Sequence, residues 1–251
     1  MNATLKSTAF LIVFSVRVAL ASEPSAPTVQ AVTAMLDDLF RSSSTSGRLE
    51  LISTTETQSR HLKMRIWTQK RNKALIVIDE PVRESGIATL KVDQNLWNYL
   101  PKINRTMRVP PSMMLSSWMG TDFTNDDLVK DTSYESDFDA EISGRSADPD
   151  GWLVVLKVKP DRVGRWDKIE AVVRDDAKVP LLARYYDRKG RLARTIFFRD
   201  VRKFGNREIP TRLLLNSVDQ PGHRTELHYL ELNFDVPVAD SLFSLSELEK
   251  K

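Results

Sequence analysis

Apolar residues at Val32, Met35, Leu36, Leu39 and Phe40 recur at i, i+3, i+4, i+7 and i+8, one stripe on an α-helix. A helix with such a stripe must lay it on something apolar, and Ser42 to Gly47 ends it. From Gly47 onward the period changes. Short β-like runs follow near 48–58, 61–69, 73–80, 86–93, 95–100, 104–109, 134–144, 151–159, 167–175, 179–187, 191–203, 206–218 and 223–234. Their turns recur close to the ~8–12-residue spacing of sandwiches and barrels. Trp152, Val154, Leu156 and Val158 alternate onto one face, and so do His228, Leu230, Leu232 and Phe234. Period-two alternation means one buried and one wet face, as in an antiparallel sheet. Asp150-Gly151, Arg188-Lys189-Gly190, Gly205-Asn206 and Pro221-Gly222 supply the joints. The pattern predicts a meander of hairpins with one amphipathic helix before it, and a short docking helix in the tail, Ala239 to Leu248.

Residues 95–128 break this regularity. Two strands run into Pro110-Pro111, then Ser112 as a candidate N-cap for a helical stretch from Met113 to Trp118 that Gly120 closes. Thr124 is a candidate cap for a second short helix holding Asp126 and Asp127. Met113, Met114 and Met119 fall within eleven residues together with Leu115, Trp118 and Phe123. Met-rich surfaces adapt to ligands of variable shape, acyl chains among them. The same residues suit an ordinary plug at the end of a barrel, and a movable plug serves both readings.

The start of the chain reads differently. Lys6 precedes an apolar run from Ala9 to Val16, and Ala19-Leu20-Ala21 is a small-residue cleavage site. The run is far shorter than the ~20 residues a membrane-spanning helix needs, so residues 1–21 are read as a secretory signal peptide, with an uncleaved anchor as the alternative. A leader follows over 22–26, then a single domain over 27–251. Loss of Lys6 and Arg17 takes the formal charge from +3 to +1. The basic cluster Arg184, Arg188, Lys189, Arg191 and Arg194 is interspersed with acids and reads as a solvated face, so no nucleic-acid partner is expected. With no Cys, thiolate metal sites and cysteine catalysis are excluded.

The run Trp97-x-Tyr99-Leu100-Pro101, Arg105-x-x-Arg108-x-Pro110-Pro111-Ser112-Met113-Met114, then Ser117-Trp118-Met119-Gly120-x-Asp122-Phe123-Thr124-x-x-Asp127-Leu128 closely resembles the signature of the outer-membrane lipoprotein-sorting protein family. That family belongs to the LolA/LolB-like superfamily of periplasmic lipid and lipoprotein carriers. The resemblance extends to the opening helix, the strand series and the Asp240-x-x-Phe243 ending. It implies a mainly β (α+β) fold, an open antiparallel half-barrel of about 11 strands, with the N-terminal helix and short helices or loop covering its concave face. It implies a periplasmic protein that carries lipid or lipoprotein acyl chains between inner and outer membrane, through transient membrane contact. It also suggests an inner-membrane transporter of the RND/MMPL type as partner. The resemblance bears more directly on acyl binding than on lipoprotein sorting.

On this reading Trp97, Tyr99, Met107, Met113, Met114, Leu115, Trp118, Met119 and Phe123, with Leu36 and Phe40 of the helix, form the hydrophobic cavity and its lid. Arg105 and Arg108 are candidates for headgroup contact or for pairing with Asp122, Asp126 or Asp127; on a strand they point to opposite faces. No metal or cofactor is called for. A sensor or adaptor that binds an acyl group and reports it to a membrane protein is the alternative. A lipid-ester hydrolase ranks lower. No G-x-S-x-G elbow occurs, and His61, His223 and His228 fall at turns or on a strand face rather than in a recognisable catalytic spacing. The chain is therefore read as a binding protein, not an enzyme.

Overall fold

The computed structural model describes residues 25–129, 132–162 and 165–250. The expected signal peptide and residues 22–24 of the leader lie outside the described residues. The first element is α1 (Val29–Asp38), capped by Thr28, whose hydroxyl accepts from the Ala31 N–H at 3.2 Å. Six strands follow: β1 (Ser44–Thr54), β2 (Ser59–Gln69), β3 (Lys73–Glu80), β4 (Ala88–Val92), β5 (Asn95–Leu100) and β6 (Arg105–Arg108). A long connection carries α2 (Asn125–Val129) and α3 (Tyr134–Asp137). Then come β7 (Phe138–Ala147), β8 (Asp150–Val158), β9 (Trp166–Val173), β10 (Pro180–Asp187), β11 (Leu192–Phe204), β12 (Arg207–Ser217) and β13 (Arg224–Phe234). A 3-10 turn (Asp240–Phe243) and α4 (Leu245–Leu248) close the chain.

All thirteen strands join one antiparallel sheet in the order β6-β5-β4-β3-β2-β1-β13-β12-β11-β10-β9-β8-β7. The chain starts mid-sheet, builds outward to β6, and resumes at the opposite edge, β7, before marching back to meet β1. Because β6 and β7 are the two far edges, their connection must cross the sheet. It does so over the concave face, where Trp118, Phe123 and Tyr134 pack onto the core. The cover is thus a product of the topology. The fold is the expected open half-barrel, with thirteen strands rather than about eleven.

The sheet's alternation sorts the charges. On the convex face ion pairs line up across strands, Arg65 with Asp79 at 2.8 Å and Arg212 with Glu226 at 3.0 Å, and along β9, Lys168 with Glu170 at 2.7 Å. The concave face is apolar, with Leu51, Met64, Leu156, Ile169 and Leu215 each 2% exposed or less. Trp152, Val154, Leu156 and Val158 all join this core. Its other predicted face does not hold. Leu49 pairs with Tyr229 but Arg48 pairs with Glu231, so Leu230 is an extra residue, a bulge, and is 51% exposed. The bulge switches parity: Leu227 and Tyr229 face inward before it and Leu232 and Phe234 after it, while His228 faces Glu50 and Glu226 outside. Beside the bulge, Gly47 leaves no room for a side chain, since a Cβ would lie 2.5 Å from the Glu231 carbonyl oxygen.

Two further local expectations change. The stretch Met113 to Trp118 is not a helix beyond the 3-10 turn Pro111–Met113; instead Ser117 and Thr124 pair as an isolated bridge, with Met119 and Gly120 at φ 53° and 71° turning the chain between them. The strand expected from 134 starts only at Phe138, because Ser133 caps α3 first. The tail does form docking turns, and they pack Phe243 and Leu248 on Leu75, Val77, Leu90 and Tyr99 of the convex face.

Candidate functional site

Between the concave face and its cover lies a cavity of about 410 Å³, within the ~300–1,000 Å³ range of small-molecule sites. Strands β1 to β3 supply Leu49, Leu51, Met64, Ile66 and Ile76; strands β9 and β11 to β13 supply Ile169, Ile196, Phe198, Leu213, Leu227 and Tyr229. Leu36, Leu39 and Phe40 close it from the α1 side and Trp118 and Phe123 from the crossing loop. Phe40 stacks on Tyr229 at 5.0 Å between ring centroids. Burial pushes the Tyr229 hydroxyl well above its ordinary value, so the ring stays neutral within the apolar wall.

The cover is held by polar contacts as well as by the packing of Trp118 and Phe123 on the core. Trp118 Nε1 donates to Thr89 Oγ1 at 3.2 Å, and the Asp122 N–H donates to Thr225 Oγ1 at 3.0 Å while that hydroxyl donates to Asp122 Oδ2 at 2.7 Å. Arg60 donates to the Met119 carbonyl and holds Glu84. Asp37 of α1, buried, accepts from Ser133 Oγ at 2.9 Å and from the N–H groups of Tyr134 and Glu135, so helix and connection are locked together. α2 starts with a reciprocal cap: Asp127 Oδ2 accepts from the Thr124 N–H at 2.9 Å and Thr124 Oγ1 accepts from the Asp127 N–H at 3.3 Å.

Asp127 also reaches the sheet. Its carboxylate meets Arg194 of β11 at 2.9 Å, with the two side chains 15% and 9% exposed. The Arg194 guanidinium lies 4.7 Å from the rings of both Trp166 and Tyr185, which shield it from water. Burial opposes the charge on Asp127, but the Arg194 guanidinium and the Thr124 hydrogen bonds outweigh it and hold the carboxyl below its ordinary value. Arg194 Nε has no hydrogen-bond partner, so the pair with Asp127 carries its charge compensation. Arg194 is therefore not part of a solvated basic face, as its neighbours in sequence suggest; it faces inward between Ala193 and Thr195 because the strand alternates.

Of the residues expected at the cavity, Leu36, Phe40, Trp118 and Phe123 line it, and Met119 packs on the cluster beside Trp118. The others are elsewhere. Trp97 and Tyr99 face the convex side and pack under Phe243 and Leu248, since β5 turns its odd positions outward. Met107, opposite Asn98 on the outermost strand, is 38% exposed. Met113 and Leu115 are 51% and 66% exposed, and Met114 is half-buried, its carbonyl taking the Asp126 N–H at 2.8 Å. Arg105 and Arg108 are exposed on the edge strand and do not line the cavity; Arg108 donates to Asn95 rather than to Asp122, Asp126 or Asp127. Most of the wall comes from single apolar residues scattered over eight strands, whose only sequence signal is alternation. Of the three histidines none belongs to the cavity's described walls: His61 is exposed, 3.4 Å from Ser59 Oγ, and His228 sits between Glu50 and Glu226 outside.

A family model described only as an uncharacterized protein matches residues 70–250, most of the chain. The chain belongs to that family, and its fold is LolA-like. Among solved structures, a DUF1329 family protein from Desulfovibrio piger is 21% identical, with 86% of this chain and 96% of that one covered at a TM-score of 0.76. A domain named for outer membrane lipoprotein sorting, from Vibrio parahaemolyticus, is 21% identical over 88% of this chain and 96% of its own, at 0.73. A LolA superfamily protein from Nitrosomonas europaea is 19% identical over 88% of this chain and 100% of its own, at 0.71. No protein among the curated ones matches the sequence. What the LolA-like fold contributes here is the architecture: an open sheet, a helix and a crossing loop around an apolar space.

Proposed function

We propose that this protein binds a lipid or a lipoprotein acyl chain in the cavity between sheet and cover and carries it across the periplasm between inner and outer membrane. The observation that carries the reading is the cavity itself, about 410 Å³ of apolar space that the protein's own side chains leave unfilled. Exposing an acyl chain to water costs roughly 0.8 kcal/mol per methylene, so a chain of about fourteen methylenes represents on the order of 11 kcal/mol to be offset. Walls built mostly of Leu, Ile, Met, Phe and Trp offset it, with the Asp127–Arg194 pair already satisfying its own charges at one side. An open sheet under a loop cover can widen without breaking its ladders.

The exported location follows from the signal-like segment over residues 1–21, and cleavage after Ala21 yields the carrier. An RND/MMPL-type transporter of the inner membrane is the partner that the family resemblance brings to this reading. The function needs no catalysis: the site offers shape and apolar surface. Native mass spectrometry with lipid extraction, on the mature protein purified from a periplasm without detergent, tests it. The expected result is a one-to-one adduct of acyl-chain mass that extracts into organic solvent. A clean unliganded mass, with added lipids neither binding nor raising the melting temperature, would overturn it.

A further inference from the structure

Between Asp93 and Asp122 the chain has no acidic residue, and its cations there are Lys102, Arg105 and Arg108. All three are exposed, on the edge strand β6 or in the turn that enters it. No ion pair engages them among the described residues; Arg108 donates to the neutral Asn95 side chain. Elsewhere on the surface cations are answered by acids, as Arg174 is by Asp176 and Glu208. The same stretch exposes large apolar side chains, Ile103 at 61% together with Met107, Met113 and Leu115. Four of the nine large apolar side chains that the described residues expose thus fall between 103 and 115, a cluster rather than a scatter. They also share one rim of the sheet. β6 runs back along β5 until the Val109 N–H meets the Leu96 carbonyl, and the chain then returns to the other end of the strands, where Arg60 holds the Met119 carbonyl and Glu84. Met113 and Leu115 lie on that return. Asn125 Nδ2 donates to the Met113 carbonyl at 3.0 Å and so fixes the return to the start of α2, which packs on β5 beside the edge.

Charges on an edge strand guard it against pairing with another sheet, which accounts for Arg105 and Arg108 taken alone. Exposed methionine, leucine and isoleucine beside them work against that purpose. Protruding apolar side chains ringed by cations suit a bilayer interface, where the apolar groups enter the acyl boundary and the cations meet lipid phosphates. We propose that this rim docks the protein on anionic membranes, through Ile103, Met107, Met113 and Leu115 with Lys102, Arg105 and Arg108 around them. The proposal deepens the carrier reading by naming where the carrier meets its membrane, and it does not depend on which lipid is carried. Two acids adjoin the rim without pairing with its cations: Glu249 accepts from the Thr106 hydroxyl at 2.9 Å, and Asp126 gives its N–H to the Met114 carbonyl. Met113 and Leu115 belong to the same segment as Trp118 and Phe123, which line the cavity. A bilayer that holds the outer residues therefore touches the cover itself. Each Lys or Arg near an anionic surface contributes roughly fivefold in partitioning, and a few of them with shallow apolar insertion give a reversible attachment, as a carrier requires.

The test is co-sedimentation of the mature protein with vesicles of equal parts phosphatidylglycerol and phosphatidylcholine, against vesicles of phosphatidylcholine alone. Binding to the anionic vesicles is expected to be about tenfold stronger, and high salt should remove the difference. Lys102→Gln with Arg105→Gln should lower it about tenfold and leave binding to phosphatidylcholine unchanged. Met113→Ser with Leu115→Ser should lower binding to both vesicles by about tenfold. Arg202→Gln with Lys203→Gln removes the same charge from the exposed end of β11 and should change nothing. All six positions are exposed, so folding is not at stake. Each variant should still take up a neutral naphthylamine dye in the cavity as the wild type does, which assigns the loss to the surface. Equal binding to both vesicles by the wild type, a loss that follows Arg202 and Lys203 instead, or variants of the rim that sediment like the wild type overturn the docking surface. Wild-type protein that takes up the dye but ignores vesicles also overturns it, and leaves the carrier reading standing. Failure to bind either dye or vesicles sinks the two together.

Discussion

The two faces of the sheet each carry an apolar patch, and they are closed in opposite ways. On the convex side Leu75, Val77, Leu90 and Tyr99 meet the chain's own tail, and Leu75 and Leu248 end with no exposed surface at all. The tail's polar contacts, Lys73 with Asp240 and Thr106 with Glu249, lie at its rim. On the concave side the cover packs Trp118 and Phe123 on the core and is also fastened through buried polar groups, Trp118 on Thr89, Asp122 on Thr225 and Asp127 on Arg194, yet about 410 Å³ stays open beneath it. Both patches arise from the same period-two alternation. The difference lies in the closure: the tail's apolar side chains fill the convex patch, whereas the cover, anchored by buried polar groups as well as by Trp118 and Phe123, leaves room beneath it. A site can therefore be recognised by how its cover is attached as much as by what lines it.

The contrast breaks most sharply at the buried ion pair. Arg194→Met leaves Asp127 charged and unpaired under the cover, and should cost about 3–5 kcal/mol in denaturant unfolding. Adding Asp127→Leu to it should recover most of the loss, since an apolar pair of similar volume carries no desolvation penalty. Leu248→Ala probes the sealed face: loss of a fully buried leucine should cost within ~2–5 kcal/mol, toward the lower end because the terminal tail can settle, with acyl binding unchanged. Leu227→Trp does the reverse. It fills the open face, so dye or acyl binding should be lost in a titration while stability shifts by about 1–3 kcal/mol or less.

Acid sharpens the comparison further. Because Asp127 is held below its ordinary value of 3.8, its contribution to stability is fully present above that pH and is lost as pH falls through the lower folded-state value. The cover should thus loosen below about pH 3.8, and Asp127→Asn should remove that step from the pH dependence of unfolding. The smallest effect is at the helix cap. Thr28→Ala should cost about 1 kcal/mol and speed ligand release as the first turn of α1 frays.

Much of this architecture was legible in the sequence, and the reasons for the misses are physical. The α1 stripe and the hairpin turns marked helix and strands because burial on one side imposes a period that local residues display. Parity was readable only where no bulge intervened. Leu230 shifts it within β13, so His228 reads as inward from the alternation and stands outside. The Met-rich segment drew attention as the least regular part of the chain, yet only its Trp118 and Phe123 reach the cavity wall, since the chain turns at Met119 and Gly120 and leaves Met113 and Leu115 on the outside. Trp97 and Tyr99 have the right chemistry for a cavity but the wrong parity, and the tail that covers them lies about 145 residues away in sequence. The walls from β9 to β13 and the Asp127–Arg194 pair required the two halves of the sheet to be brought face to face, which composition and spacing do not encode.

In the proposed carrier an acyl chain lies against the concave face under the crossing loop. An oleoyl chain bearing a photoactivatable diazirine, loaded onto the mature protein and mapped by peptide mass spectrometry after irradiation, tests this most directly. Adducts are expected on peptides carrying Leu227 and Tyr229 of β13 and Trp118 and Phe123 of the cover, suppressed by Leu227→Trp. Adducts confined to Met113 and Leu115, or to the convex patch around Phe243, with none on the concave strands, would contradict it.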